Sequence, residues 1–204
     1  MNAQLSKMFI NQTINNMSEL SVGAKAPEFS AKDQDGQSIQ LGDYKGKKVI
    51  LYFYPKDNTP GCTAEACDLR DNYKVLQKQG YEVLGISTDD EKMHRKFIEK
   101  EKLPFRLLAD TDKSVHEKYG TWIEKSMYGR KYMGTARITF IIDENGMIQE
   151  VIGKVDTKNH TAQILGNNPA PKVSAIKPTK KVVGRKIAKK PAPKPAKKAK
   201  KKKR

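Results

Sequence analysis

Both cysteines of this 204-residue chain lie in one stretch, "YPKDNTPGCTAEAC", at 54–67. Cys62 and Cys67 admit four readings: two unreactive thiols, a structural disulfide, half of a metal site, or the reacting centre of an enzyme. A reacting thiol must be a thiolate, and a free cysteine, with a pKa of about 8.5, is mostly protonated at neutral pH. Cys62 follows "TPG" where a helical run begins. The first turn of a helix offers free N–H groups and the positive end of the helix dipole to an anion. Thr59 adds a hydroxyl three residues upstream, while Pro55 and Pro60 stiffen the loop without adding donors. If 62–67 is helical, the two side chains diverge by about 140° and rise about 7.5 Å, a Cα separation of roughly 8.6 Å. A disulfide spans about 4.4–6.8 Å between Cα atoms. The pair therefore closes only if the first turn unwinds, which suits a cycle with a conformational step better than a permanent cross-link. A metal site lacks a second Cys or His pair at ligand spacing. His94, His116 and His160 are scattered along the chain and read as ordinary surface or boundary residues.

The elements that must position these residues alternate. "VILYFY" (49–54) is a continuous apolar run, the pattern of a strand buried on both faces. "YEVLGIST" (81–88) and "FRLLAD" (105–110) read the same way. "RITFIID" (137–143) and "MIQEVIG" (147–153) flank the hairpin signal "ENG". Helices are expected at about 63–79, 90–102 and 114–119, with a closing helix at 158–165. This order predicts an α/β fold, a central mixed sheet with helices on both faces and right-handed parallel crossovers. It is compatible with a thioredoxin-like arrangement, which periodicity alone does not single out.

Charge divides the chain. The total is +17, but residues 166–204 hold 16 Lys and Arg and no Asp or Glu, leaving 24 basic and 23 acidic residues for 1–165. We expect a polar, loose N-terminal extension at 1–16, a folded domain at 17–165 with Met17 as a candidate start, and a disordered basic tail at 166–204. No stretch approaches the roughly 18 apolar residues of a membrane span. The N-terminus has no apolar core of a secretory signal and no arginine of a transit peptide. A soluble intracellular protein is the expectation, and there a cysteine pair is more often catalytic or metal-binding than a staple.

"YPKDNTPGCTAEACDLRDNY" (54–73) resembles the active-site segment of the peroxiredoxins, and more closely that of the bacterioferritin comigratory protein, or peroxiredoxin Q, subfamily. The Pro-x-x-x-Thr-x-x-Cys signature falls on Pro55, Thr59 and Cys62. The resemblance runs from about Met17 to Leu165 and includes "VGAKAPEFSAKDQDG", "YGTW" and "ARITFIIDENG". It implies a thioredoxin-like fold and thiol-dependent reduction of hydrogen peroxide and organic hydroperoxides, with no metal or flavin. It implies Cys62 as the attacking thiolate and Cys67 as the resolving thiol. Thr59 would hydrogen-bond the thiolate and peroxide, and Pro55 would shield the sulfur from water. Arg137 would stabilise the thiolate and orient the peroxide, and Glu65 would position the arginine. Thioredoxin or a similar dithiol would restore both thiols. A monomer is implied, with a dimer as the alternative.

The tail departs from that pattern. "KKPAPKPAKKAKKKKR" (189–204) resembles the Lys-Ala-Pro tails of linker histones and bacterial histone-like proteins. A disordered polycation binds polyanions by releasing their counterions, and without aromatics it does not stack on bases. We expect sequence-independent binding of DNA or RNA through 166–204. Anionic lipid without an apolar anchor, nuclear localisation in a eukaryote, or added solubility are the rival readings. The expected place is the cytoplasm, near the nucleoid. A DNA-binding protein with secondary peroxidase activity is the alternative reading of the whole.

Overall fold

In a computed structural model, residues 20–127 and 129–166 are described. The extension at 1–16, Met17 and the basic segment from 167 onward lie outside them. Among the described residues the strands are β1 (Ser30–Asp33), β2 (Ser38–Gln40), β3 (Lys48–Phe53), β4 (Tyr81–Ser87), β5 (Arg106–Ala109), β6 (Trp122–Met127), β7 (Arg130–Thr135), β8 (Ile138–Ile142) and β9 (Ile148–Ile152). The helices are α1 (Pro60–Asp71), α2 (Tyr73–Lys78), α3 (Glu91–Glu101), α4 (Ser114–Lys118) and α5 (His160–Ile164).

Seven strands form one mixed sheet in the order β2-β1-β5-β4-β3-β8-β9. β3, β4 and β5 are parallel, whereas β8 runs antiparallel to β3 with Phe53 opposite Ile138. The central strands are apolar throughout because both faces are covered. Their side chains alternate between two cores. Val49, Leu51 and Phe53 join Tyr119 and Phe140 on one face. Ile50, Tyr52 and Tyr54 join Ala66, Leu69, Leu76 and Phe97 on the other. Consequently α1, α2 and α3 share a face with α5, and α4 covers the opposite one. Successive crossovers of one hand that step the same way along a sheet leave their helices on the same side, as β3–β4–β5 do here.

The expected helix at 63–79 is two helices. It begins at Pro60, whose ring suits the first helical position. It breaks at Asn72, which leaves helical geometry and turns its side-chain amide onto the Asp68 carbonyl at 2.8 Å. The β1–β2 and β6–β7 hairpins carry no apolar run, which hides them from periodicity. The β6–β7 pair forms its own two-stranded sheet, with Gly129 in the left-handed conformation at its turn (φ +76°). Gly166, after α5, is also left-handed at φ +74°, the usual way to end a helix.

Candidate active site

Cys62 and Arg137 lie 75 residues apart in sequence, and sheet order brings them together. β3 ends at Phe53, and the chain then turns through 54–59 into α1. Arg137 immediately precedes β8, whose first residue lies opposite Phe53. Both therefore reach the carboxyl edge of β3, the edge of an α/β sheet where sites commonly form. Cys62, the third residue of α1, is 1% exposed, and Arg137 Nη2 donates to its sulfur at 3.1 Å.

Arg137 is held in turn. Its Nη1 donates to Glu65 Oε2, from the next turn of α1, and Glu65 is fully buried. Burial alone would pull the guanidinium down, but Glu65 and Cys62 outweigh it and keep Arg137 above its ordinary value. Gly61 packs beside this guanidinium, and a Cβ there would lie 3.4 Å from Nη2, an ordinary contact distance. Lys125 from β6 adds a second cation. Burial and then the repulsion of Arg137 lower it, against the pull of Cys62. Its Nζ donates to the Thr135 carbonyl at 2.5 Å.

Thr59 is the residue that precedes α1, and its carbonyl accepts the Thr63 N–H at 2.8 Å. Its hydroxyl donates to the Lys56 carbonyl at 3.0 Å. That bond commits the proton and leaves the oxygen free to accept. Pro55 is partly buried at the end of the strand run. The loop after it is tied inward. Asp57 accepts from the buried Tyr54 hydroxyl at 2.7 Å and lies 2.8 Å from His94 Nδ1, while its N–H donates to Asp89 at 2.8 Å. Asn58 can therefore hold a left-handed backbone (φ +57°), and its side chain accepts from Lys100 at 3.1 Å.

Cys67 lies in the same unbroken helix as Cys62, and both are free thiols. It is half-buried and looks elsewhere, with its sulfur 3.6 Å from Glu101 Oε2 of α3. Burial pushes its thiol up, and Glu101 adds to this against Arg70. The structure thus brings Cys62, Arg137 and Glu65 into one chain of contacts, with Thr59 and Pro55 in the loop that leads into α1 and Cys67 turned toward α3.

The histidines correct the expectation that they are surface or boundary residues. All three are 0% exposed. His94 lies on Asp57, His116 on Asp110 at 2.5 Å, and His160 near Glu65. A lone histidine in sequence does not announce a buried acid that meets it only in the fold. Lys125 was equally silent, one of many lysines. Among the described residues no group of three or more His, Cys, Asp or Glu side chains is placed to hold a metal ion.

A thiol at a helix start, facing an arginine on a thioredoxin-like sheet, defines a thiol-based oxidoreductase site. Residues 22–151 match the AhpC/TSA family. The chain is 49% identical to peroxiredoxin Bcp of Escherichia coli K12 over 149 residues, 73% of this chain and 96% of that one. It is 43% identical to peroxiredoxin Bcp of Bacillus subtilis over 72% of this chain and 93% of that one. Its fold is similar to that of the bacterioferritin comigratory protein of Xanthomonas campestris, with a TM-score of 0.65 and 31% identity over 68% of this chain and 88% of that one. The chain belongs to the AhpC/TSA family as a peroxiredoxin of the Bcp group, and it is a peroxidase. The family match ends before the lysine-rich segment. No helix among the described residues is long and apolar enough to cross a membrane.

Proposed function

We propose that Cys62 is the attacking thiolate and Cys67 the resolving thiol of a peroxidase recycled by thioredoxin or a similar dithiol. The observation that carries this is Arg137 Nη2, 3.1 Å from the buried Cys62 sulfur at the start of a helix that also holds Cys67. The Cys62 sulfur attacks one peroxide oxygen and the O–O bond breaks. The departing oxygen takes a proton and leaves as water or an alcohol, and Cys62 becomes a sulfenic acid. Arg137 and the first-turn N–H groups stabilise the charge moving between oxygens, and the free lone pair of Thr59 accepts a hydrogen bond from the peroxide O–H. The helix start then unwinds, the Cys67 sulfur attacks the Cys62 sulfenic acid as its S–O bond breaks, and the departing hydroxide takes the Cys67 thiol proton, so that water and a disulfide result. A dithiol reduces the disulfide by exchange. Alkyl hydroperoxides are included as substrates, since alkyl peroxide reduction is described for the Xanthomonas relative. A Cys62→Ser protein should show no turnover, and Cys67→Ser should complete one turnover and then stall with thioredoxin. A Cys62→Ser protein with the parent rate would sink the assignment.

A second role rests on charge. The 16 Lys and Arg among residues 166–204, with no acid among them, favour binding of DNA or RNA without sequence preference. A monomeric enzyme in the cytoplasm, tethered near nucleic acid, would then remove peroxide where it does most damage. Full-length protein and a version ending at Leu165 should reduce peroxide at similar rates, and only the former should shift DNA at low salt. Equal shifts from both would refute the tail's role.

A further inference from the structure

Glu65 holds Arg137 with one oxygen only. The other, Oε1, is buried without a hydrogen-bond partner among the described residues, and so is Nδ1 of His160. These two atoms stand 3.1 Å apart, within ion-pair reach though off hydrogen-bond alignment. The far nitrogen of the ring, Nε2, lies 3.1 Å from the Thr139 hydroxyl on β8. Glu65, Thr139 and His160 are all 0% exposed.

Proton accounting selects one arrangement. If Nε2 carried the ring's proton, the Nδ1 lone pair would face a carboxylate oxygen. If both nitrogens carried one, the Thr139 proton would lack an acceptor. With Thr139 donating to Nε2 and the ring proton on Nδ1, that N–H lies beside Glu65 Oε1 at 3.1 Å, a charge contact that needs no change of neighbours. The ring is delivered by a fixed element. Asp68 of α1 accepts from the Thr161 N–H and from its hydroxyl, both at 2.7 Å, so α5 is pinned to the helix that carries Cys62 and Glu65.

We propose that His160 is a positioning residue for the reaction at Cys62, setting the Glu65 carboxylate that holds Arg137 against the sulfur. This rests on the reading of Cys62 as the attacking thiol. A carboxylate anchored at one oxygen can rotate about its last torsion, and the guanidinium follows it. A contact at the second oxygen removes that freedom. Misplacement of a reacting group by an ångström costs about 100-fold. His94 and His116 have no such role, because their acids, Asp57 and Asp110, do not touch Arg137.

The test compares three substitutions in the full chain. His160→Asn places an amide nitrogen near the Nδ1 position, where it still donates to Glu65. His160→Gln reaches the Nε2 position and serves Thr139 instead. His160→Leu serves neither. The readout is the second-order rate constant for oxidation of Cys62 by hydrogen peroxide in a single turnover, with circular dichroism melts to show folding. Leu and Gln should slow oxidation by about 10- to 100-fold, the range typical of lost supporting contacts, and Asn should stay within about threefold. In a Glu65→Gln background the His160→Leu change should have little further effect, because residues acting through one another are not additive. Equal rates for Asn and Gln, or additive effects of His160→Leu and Glu65→Gln, would overturn the proposal. If Leu does not fold, the Asn and Gln pair decides alone. Unaltered protein whose Cys62 thiol survives peroxide would sink the underlying reading instead.

Discussion

Replacement of Arg137 by methionine separates chemistry from stability. At the 3.1 Å between Nη2 and the Cys62 sulfur, a full charge pair is worth roughly 5 kcal/mol at an effective dielectric of about 20. The Arg137 side chain is 22% exposed, so water returns part of this. Loss of one preorganised donor at a centre of developing charge costs about 2.7–4 kcal/mol, or about 100- to 1,000-fold in rate. That is the fall expected in the second-order rate constant with hydrogen peroxide, measured by stopped-flow competition against a reference peroxidase. Methionine also strands Glu65, which is fully buried. Breaking a buried pair costs about 3–5 kcal/mol. At about 2–4 °C per kcal/mol for a domain of this size, the Tm should fall by roughly 10 °C. Adding Glu65→Gln removes the stranded charge, so the double variant should regain most of the Tm and none of the rate. A double variant with the parent rate would show that Arg137 only balances Glu65, and the argument for its chemical role would fail.

Glu101→Gln removes the acid that, after burial, holds the Cys67 thiol up. In a Cys62→Ser background, alkylation of Cys67 by iodoacetamide at pH 8 should quicken, and an unchanged or slower rate would contradict this. Asp110 sits below its ordinary 3.8 because, although burial pushes it up, His116 and the backbone N–H groups of His116 and Val115 outweigh that. On acidification the unfolded chain takes the proton first, so this stabilisation is full above about pH 4 and is lost as pH falls through the depressed value. Urea melts of Asp110→Asn should therefore converge on the parent below pH 4, and a constant gap would count against it. A Cβ at Gly85 would meet Leu107 Cδ2 at 2.6 Å and the Tyr52 ring at 2.7 Å. Gly85→Ala should cost about 1–3 kcal/mol by overpacking, and a Tm equal to the parent's would refute that.

Legibility in the sequence followed the range of each cause. The placement of Cys62 at a helix start was readable because a proline-bearing turn and the helix it opens are local. The buried strands were readable because apolar runs announce burial on both faces. The break at Asn72 was not, since a residue that interrupts a helix by bonding the Asp68 carbonyl leaves the apolar pattern intact. Arg137 could be matched by resemblance, but its meeting with Cys62 depends on β8 lying beside β3, which no local pattern fixes. His160 and Lys125 depend on the same long-range packing and had no resemblance to announce them.

The make-up of α1 bears on how the proposed disulfide forms. Within 62–67 the buried side chains are Cys62, Glu65 and Ala66, so Ala66 is the only apolar group besides Cys62 itself that unwinding would expose. The next buried position is Leu69, at 0% exposure. Exposing a leucine would cost about 1.5–3 kcal/mol, several times the cost of an alanine methyl. Polar contacts fall at the same boundary. Glu65 must release Arg137 for Cys62 to move, whereas Asp68 is held by the Thr161 N–H and hydroxyl. Unwinding that starts at Pro60 therefore meets little apolar resistance until Asp68 and Leu69, where packing and hydrogen bonds stop it together. Cys67 is the last residue before that stop. A resolving thiol one turn later would lie in the part of the helix that stays fixed.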